Sequence, residues 1–305
     1  MEINNLKVDV GGIKLQNPVL TASGTFGYGS EFSDYVNLHR LGGIIVKGIS
    51  MEPRAGNPPP RIVETSSGML NAIGLENVGA EKFKSEKMPF LRETGASIIV
   101  NILGDTVDEY RELACFLNDV DGLSGIEVNI SCPNVKKGGV AFGTDPVMVK
   151  EVTAAVKKST DLPVIIKLSP NVTDITNTAK AAEESGADAV SLINTLIGMA
   201  IDHRSRKPKL ANIIGGLSGP AIKPIALRMV WQVAKTVKIP VIGIGGIMCA
   251  EDAIEFLIAG ATAVQVGTAN FVNPGTCEEI IAGISQYIED MNYSNVSELI
   301  GSLEI

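Results

Sequence analysis

Gly125-Ile-Glu-Val-Asn-Ile-Ser-Cys-Pro-Asn134 is a short apolar run that ends in a cluster of polar side chains. Ile126, Val128 and Ile130 alternate with Glu127 and Asn129, as in a buried strand, and Pro133 stops the ladder because it has no N–H to donate. Asn129, Ser131, Cys132 and Asn134 therefore gather at one strand end. A thiol there can take a proton while the amides hold a polar substrate. Read alone, Cys132 is equally a buried cysteine on a strand.

Seven similar runs surround it: Val19–Ala22, Gly43–Val46, Ser97–Ile102, Val164–Leu168, Ala189–Ile193, Val241–Ile244 and Ala263–Val266. Continuous hydrophobicity is the mark of strands covered on both faces. Helix-like segments fall between them at Asp105–Asn118, Pro146–Ser159, Thr173–Ser185, Ile222–Thr236 and Ala250–Ala259. Eight strand–helix units predict an α/β fold, a (β/α)8 TIM barrel in a single domain over residues 1–305. The competing doubly wound sheet needs a glycine triplet after its first strand, and Ser23-Gly-Thr-Phe-Gly27 lacks that spacing. Two excursions interrupt the alternation, at 50–77 with its proline cluster and at 196–217 with Arg204, Arg206, Lys207 and Lys209. The basic stretch reads as a solvated loop or as a contact for an anionic ligand or partner.

A chain of 305 residues, 45% hydrophobic, can bury a large core. Its net charge of −8 argues against a broad nucleic-acid surface. Cys115, Cys132, Cys249 and Cys277 are far apart, which argues against a metal or iron–sulfur site built by this chain alone. Neither a signal-like start nor a membrane-spanning run is present, so a cytoplasmic protein without membrane contact is expected.

In such a barrel the C-terminal strand ends share one mouth. Those ends carry Ser23, Lys47, Asn101, Asn129 with Cys132, Lys167, Asn194 with Thr195, Gly245-Gly246 and Gly267-Thr268. All are polar or small, as a polar ligand requires. A lysine ending a buried strand needs an acceptor, so Lys47 and Lys167 read as partners of an internal carboxylate such as Glu127, as Schiff-base amines, or as cations that stabilise charge on a cofactor ring. Gly245-Gly246, with a helix start at 248–253, and Gly267-Thr268 suit a phosphate, and Gly215-Gly-Leu-Ser-Gly219 can close that site from the preceding helix. The glycine-rich stretch 135–143 reads as a mobile loop able to cover the thiol.

These motifs resemble the class 1 dihydroorotate dehydrogenases. The matching pieces are Lys47-Gly48, Gly56-Asn-Pro-Pro-Pro-Arg61, Asn71-Ala-Ile-Gly-Leu75, Asn129-Ile-Ser-Cys-Pro-Asn134, Lys167, Asn194-Thr195, Gly215–Gly219, Gly245-Gly246 and Gly267-Thr268. Phe26-Gly-Tyr-Gly29, Gly68-Met-Leu-Asn71 and Asn194-Thr-Leu-Ile-Gly198 look most like the B type. The resemblance implies oxidation of dihydroorotate to orotate in pyrimidine synthesis. It implies one FMN held by Ser23, Lys47, Gly48, Asn101, Asn129, Lys167, Ile193, Gly219, Gly245, Gly246, Gly267 and Thr268. Substrate would lie against Lys47, Asn71, Ala72, Ile73, Gly74, Leu75, Asn129, Asn134, Asn194 and Thr195. Cys132 would take the C5 proton while hydride leaves C6 for flavin N5. A homodimer joined to two subunits carrying FAD and a 2Fe-2S cluster would pass electrons to NAD. Two alternatives stay open: an A-type, fumarate-linked homodimer, and a Schiff-base barrel lyase.

Overall fold

Each of the eight apolar runs forms a strand in the computed structural model, which describes residues 4–130 and 142–305. They are β1 (Val19–Thr21), β2 (Gly43–Ile49), β3 (Ser97–Ile102), β4 (Gly125–Asn129), β5 (Val164–Lys167), β6 (Ala189–Leu192), β7 (Val241–Ile244) and β8 (Ala263–Val266). The strands are parallel, pair in chain order and close where β8 meets β1. This is the expected (β/α)8 barrel.

Its helices run along the outside, and their starts follow from their caps. The Thr106, Asp145 and Asp174 side chains accept from the N–H groups of Glu109, Val147 and Thr176, so the helices begin at Val107, Pro146 and Ile175. Two further helical segments, Ala80–Glu93 and Thr276–Asp290, complete the shell.

Inside the barrel, side chains form two unlike layers. Near the strand starts, Leu20, Ile45, Ile99, Ile165, Ala189, Ile242 and Ala263 pack with Val10, Ile13 and Leu15. The last three come from a hairpin, Val8–Val10 with Ile13–Leu15, that plugs this end. Lys14 O accepts from Ser97 Oγ at the first residue of β3, at 3.2 Å. Nearer the strand ends the interior turns polar: Asn101, Glu127, Lys167, Ser191 and Gln265 are all buried.

The two excursions are not separate loops. Ile62–Thr65, Gly68–Asn71, Leu196–Met199 and Ile214–Ser218 form one four-stranded antiparallel sheet. Gly215 to Ser218 therefore belong to a strand, so the expected closure from a helix is corrected to closure from this sheet. The basic residues Arg204, Arg206, Lys207 and Lys209 are exposed around a two-residue ladder, Ile201–Asp202 with Lys207–Pro208.

The plug is remote from the strand ends in this layout. Leu15→Ala should cost about 2–5 kcal/mol in urea unfolding, the usual loss for a buried leucine, and leave ligand affinity at the mouth unchanged. Weakened ligand binding at native temperature would contradict that separation.

Candidate active site

Glu127 projects from β4 into the barrel with no solvent exposure. Its Oε1 accepts from Asn101 Nδ2 at 2.7 Å; its Oε2 accepts from Ser191 Oγ at 2.9 Å and Gln265 Nε2 at 2.6 Å. Lys167 Nζ lies 3.5 Å from Oε1 and donates to Ser23 Oγ at 3.4 Å. A buried carboxylate is tolerated only when its lone pairs are filled and its charge is opposed, and here four strands supply the partners. The ion pair with Glu127, one of the readings open for Lys167, is formed. Lys47 is half-buried within β2, where the pairing shifts register between Val46 and Ile49, and its N–H donates to Gly27 O at 2.8 Å. Among the described residues no carboxylate pairs with its ammonium. Gly48 beside it is required small, because a Cβ there would stand 2.6 Å from Asn101 Oδ1.

The amides gather on the other side. Asn129 and Lys167 are register partners across β4 and β5. Asn194 Nδ2 donates to Asn129 Oδ1 at 3.1 Å, and Asn194 Oδ1 accepts from Thr195 N at 2.8 Å. Asn71 Nδ2 donates to Gly216 O at 3.3 Å, and a Cβ on Gly216 would reach 2.1 Å from Thr195 Oγ1. The side sheet thus carries Asn71 to the same cluster. Ala72 is fixed by its N–H to Arg61 O at 2.8 Å and by Asn57 Nδ2 donating to its carbonyl at 3.0 Å. Ile73, Gly74 and Leu75 follow it as half-buried chain.

Gly245 and Gly246 take backbone angles that other residues rarely adopt, with φ of 129° and 74°. A Cβ on Gly245 would stand 2.8 Å from Ala226 Cβ and 3.5 Å from Ile193 Cγ1; one on Gly246 would stand 2.7 Å from Lys223 Cβ. Thr268 Oγ1 donates to Ser218 Oγ at 2.8 Å, and Gly219 lies against the Thr268 methyl. Gly267, Thr268 and Gly219 so face the Gly245 turn from a neighbouring strand and the side sheet. One expectation needs correcting. The helix begins at Ala250 and Met248 N–H is taken by Asp252 Oδ2 at 2.8 Å, so Met248 is not a free donor for an anion.

Sequence reasoning missed several residues of this mouth. Ser191 and Gln265 were readable only as polar residues inside otherwise apolar runs. Tyr110, whose hydroxyl donates to Asn129 O at 2.7 Å, and Asn171, whose Nδ2 donates to Thr195 O at 3.0 Å, carried no local signal. Ser131, Cys132, Asn134 and 135–141 of the expected loop lie outside the described residues. Phe142 and Gly143 close that stretch as buried residues, with Gly143 N–H donating to Ile130 O at 2.8 Å.

A closed barrel with a polar mouth, and glycine turns after strands seven and eight, is the architecture of TIM-barrel enzymes that bind phosphate-bearing ligands there. The family model for dihydroorotate dehydrogenase matches residues 5–288, and the chain belongs to that family. It is 62% identical over 301 residues to a protein of Geotalea daltonii, covering 99% of both chains. It is 59% and 60% identical over 305 residues to proteins of Geobacter sp. strain M21 and Geobacter sulfurreducens, covering all of each. All three relatives are named dihydroorotate dehydrogenase B (NAD(+)), catalytic subunit.

Lys223 braces the glycine turn through Asp252 Oδ1 at 2.5 Å and Glu255 Oε2 at 2.8 Å. Burial pushes the Asp252 carboxyl up, but hydrogen bonds from Lys223 and Met248 N–H outweigh it and hold the group below the usual carboxylate range. A depressed carboxylate stabilises the fold above its unfolded pKa, and that contribution is lost as pH falls through the folded value. Asp252→Asn should thus melt below the wild type at neutral pH, with the gap closing below about pH 4. A gap that widens in acid would refute the pairing.

Proposed function

We propose that this chain oxidises (S)-dihydroorotate to orotate in pyrimidine synthesis, as the FMN-bearing catalytic subunit of an NAD-linked, B-type enzyme. One observation carries the reading: a single mouth joins an amide cluster, a lysine layer and a glycine cradle in a chain of the dihydroorotate dehydrogenase family. The residues present suit FMN. A side chain at Gly245 or Gly246 would collide with Ala226 or Lys223, so only glycine keeps this turn, and its backbone with that of Gly267 and Thr268 would hold the phosphate. Ser23, Lys47, Gly48, Asn101, Asn129, Lys167, Ile193 and Gly219 would border the rest of the cofactor. Gln265 Oε1 is buried without a donor among the described residues.

Dihydroorotate offers imide N–H and C=O groups and a carboxylate. Asn71, Asn129, Asn134, Asn194 and Thr195 supply both donors and acceptors for such a ligand, Ala72 to Leu75 its backbone contacts, and Lys47 a cation for its carboxylate. FMN bound there would supply the acceptor for the hydride that leaves C6. Cys132 takes the proton from C5 as general base and passes it to solvent, so one hydride and one proton leave the substrate. The remaining thiols suit the task poorly: Cys115 is exposed on an outer helix, and burial pushes the Cys249 thiol up and the Cys277 thiol up to about 12. Electrons would continue to NAD through a second subunit holding FAD and a 2Fe-2S cluster, two such subunits joining a homodimer of this chain in the cytoplasm. Among the described residues no helix is long and apolar enough to cross a membrane.

Purified protein should be yellow and bleach anaerobically with dihydroorotate. Cys132→Ala should keep its flavin and reduce it about 10²–10⁴-fold more slowly, the usual loss of a general base. Colourless folded protein, or an equal loss in Cys115→Ala, would overturn the assignment.

A further inference from the structure

The proposed chemistry leaves Glu127, a fully buried carboxylate, without a task. We infer that Glu127 is a positioning residue: through Lys167 it offsets positive charge at the barrel mouth, and so sets how readily the flavin held there accepts electrons. This rests on the flavin reading above and extends it to a residue one layer below the mouth.

Stability alone does not call for an ion pair at this place. A buried pair is often replaceable by neutral side chains of similar volume without loss. Yet three neutral donors from three strands, Asn101, Ser191 and Gln265, hold the Glu127 carboxylate in one orientation. Lys167 Nζ bridges that carboxylate and Ser23 Oγ, at 3.5 and 3.4 Å, so its ammonium spans the buried layer and the mouth. Fixed charges act strongly in such an interior because little water screens them. With Glu127 in place the pair is neutral. Without it, an uncompensated ammonium would face any ligand at Ser23 and favour negative charge arriving there. The two mouth lysines then differ in kind. Lys167 is compensated, and Lys47, with no carboxylate among the described residues, is the cation left for an anionic ligand.

Sulfite tests this without turnover. It bonds to N5 of oxidised flavin and leaves negative charge on the ring, so its dissociation constant reads the local field. In the FMN-loaded protein, Glu127→Gln should lower that constant by about tenfold or more. Lys167→Gln should raise it by a similar factor, and the double variant E127Q/K167Q, neutral like the wild type, should return to within about threefold of it. A purely structural Glu127 would lower the melting temperature and leave sulfite affinity unmoved, which would overturn the inference. Should E127Q alone not fold, the double variant decides: sulfite affinity equal to that of Lys167→Gln would overturn it as well. Wild-type protein that takes up no FMN sinks the flavin reading and this inference together. A yellow wild type with unaltered sulfite binding in both tests sinks this inference alone.

Discussion

A charged carboxylate enclosed in a parallel barrel must be met from every side. Glu127 is met by Asn101 from β3, Lys167 from β5, Ser191 from β6 and Gln265 from β8. Those partners are distributed around the ring, so satisfying one side chain ties together strands distant in the sequence. Ser23 after β1 joins through Lys167. The apolar layer beneath, sealed by the N-terminal hairpin, keeps water from competing for the same lone pairs. Geometry at the mouth is then inherited from the layer below: Lys167 holds its place by pairing, and its register partner Asn129 stands beside it.

The side sheet completes the mouth in a way the barrel cannot. It draws Gly68–Asn71 and Ile214–Ser218, more than 140 residues apart, into adjacent strands. One end of that pairing places Asn71 at Gly216 and Thr195, and the other sets Gly219 against Thr268. A single hydrogen-bonded ladder so links the amide cluster to the glycine cradle. Gly216 and Gly219 are small because Thr195 and Gly68 occupy the space a Cβ would need.

The barrel was legible because strands buried on both faces must be apolar throughout, and eight such runs leave little choice of architecture. All eight strand ends carry the polar or small residues read there, Cys132 lying outside the described residues. Pairing across the side sheet was not legible, since register between distant strands leaves no trace in local composition. The Ala80–Glu93 segment escaped because a π turn at Phe83–Lys87 breaks the 3.6-residue period and Pro89 lies within it. The Thr276–Asp290 helix had a signal, with Ile280, Ile281, Ile284 and Ile288 on one face. Glu127 was visible only as a candidate partner for a lysine. Its four-way contact depends on side chains from four strands, each polar residue hidden in an apolar run.

Charge balance at the mouth requires Glu127 to be an ionised acceptor. An ionised carboxylate accepts all three bonds from Asn101, Ser191 and Gln265, whereas a protonated one would have to donate one of them. Infrared difference spectra of wild type against Glu127→Gln, with ¹³C-labelled glutamate to assign the band, distinguish the two forms at neutral pH. A lost antisymmetric carboxylate stretch is the predicted result. A lost carboxylic-acid carbonyl stretch would contradict it, because a neutral Glu127 would oppose no charge on Lys167.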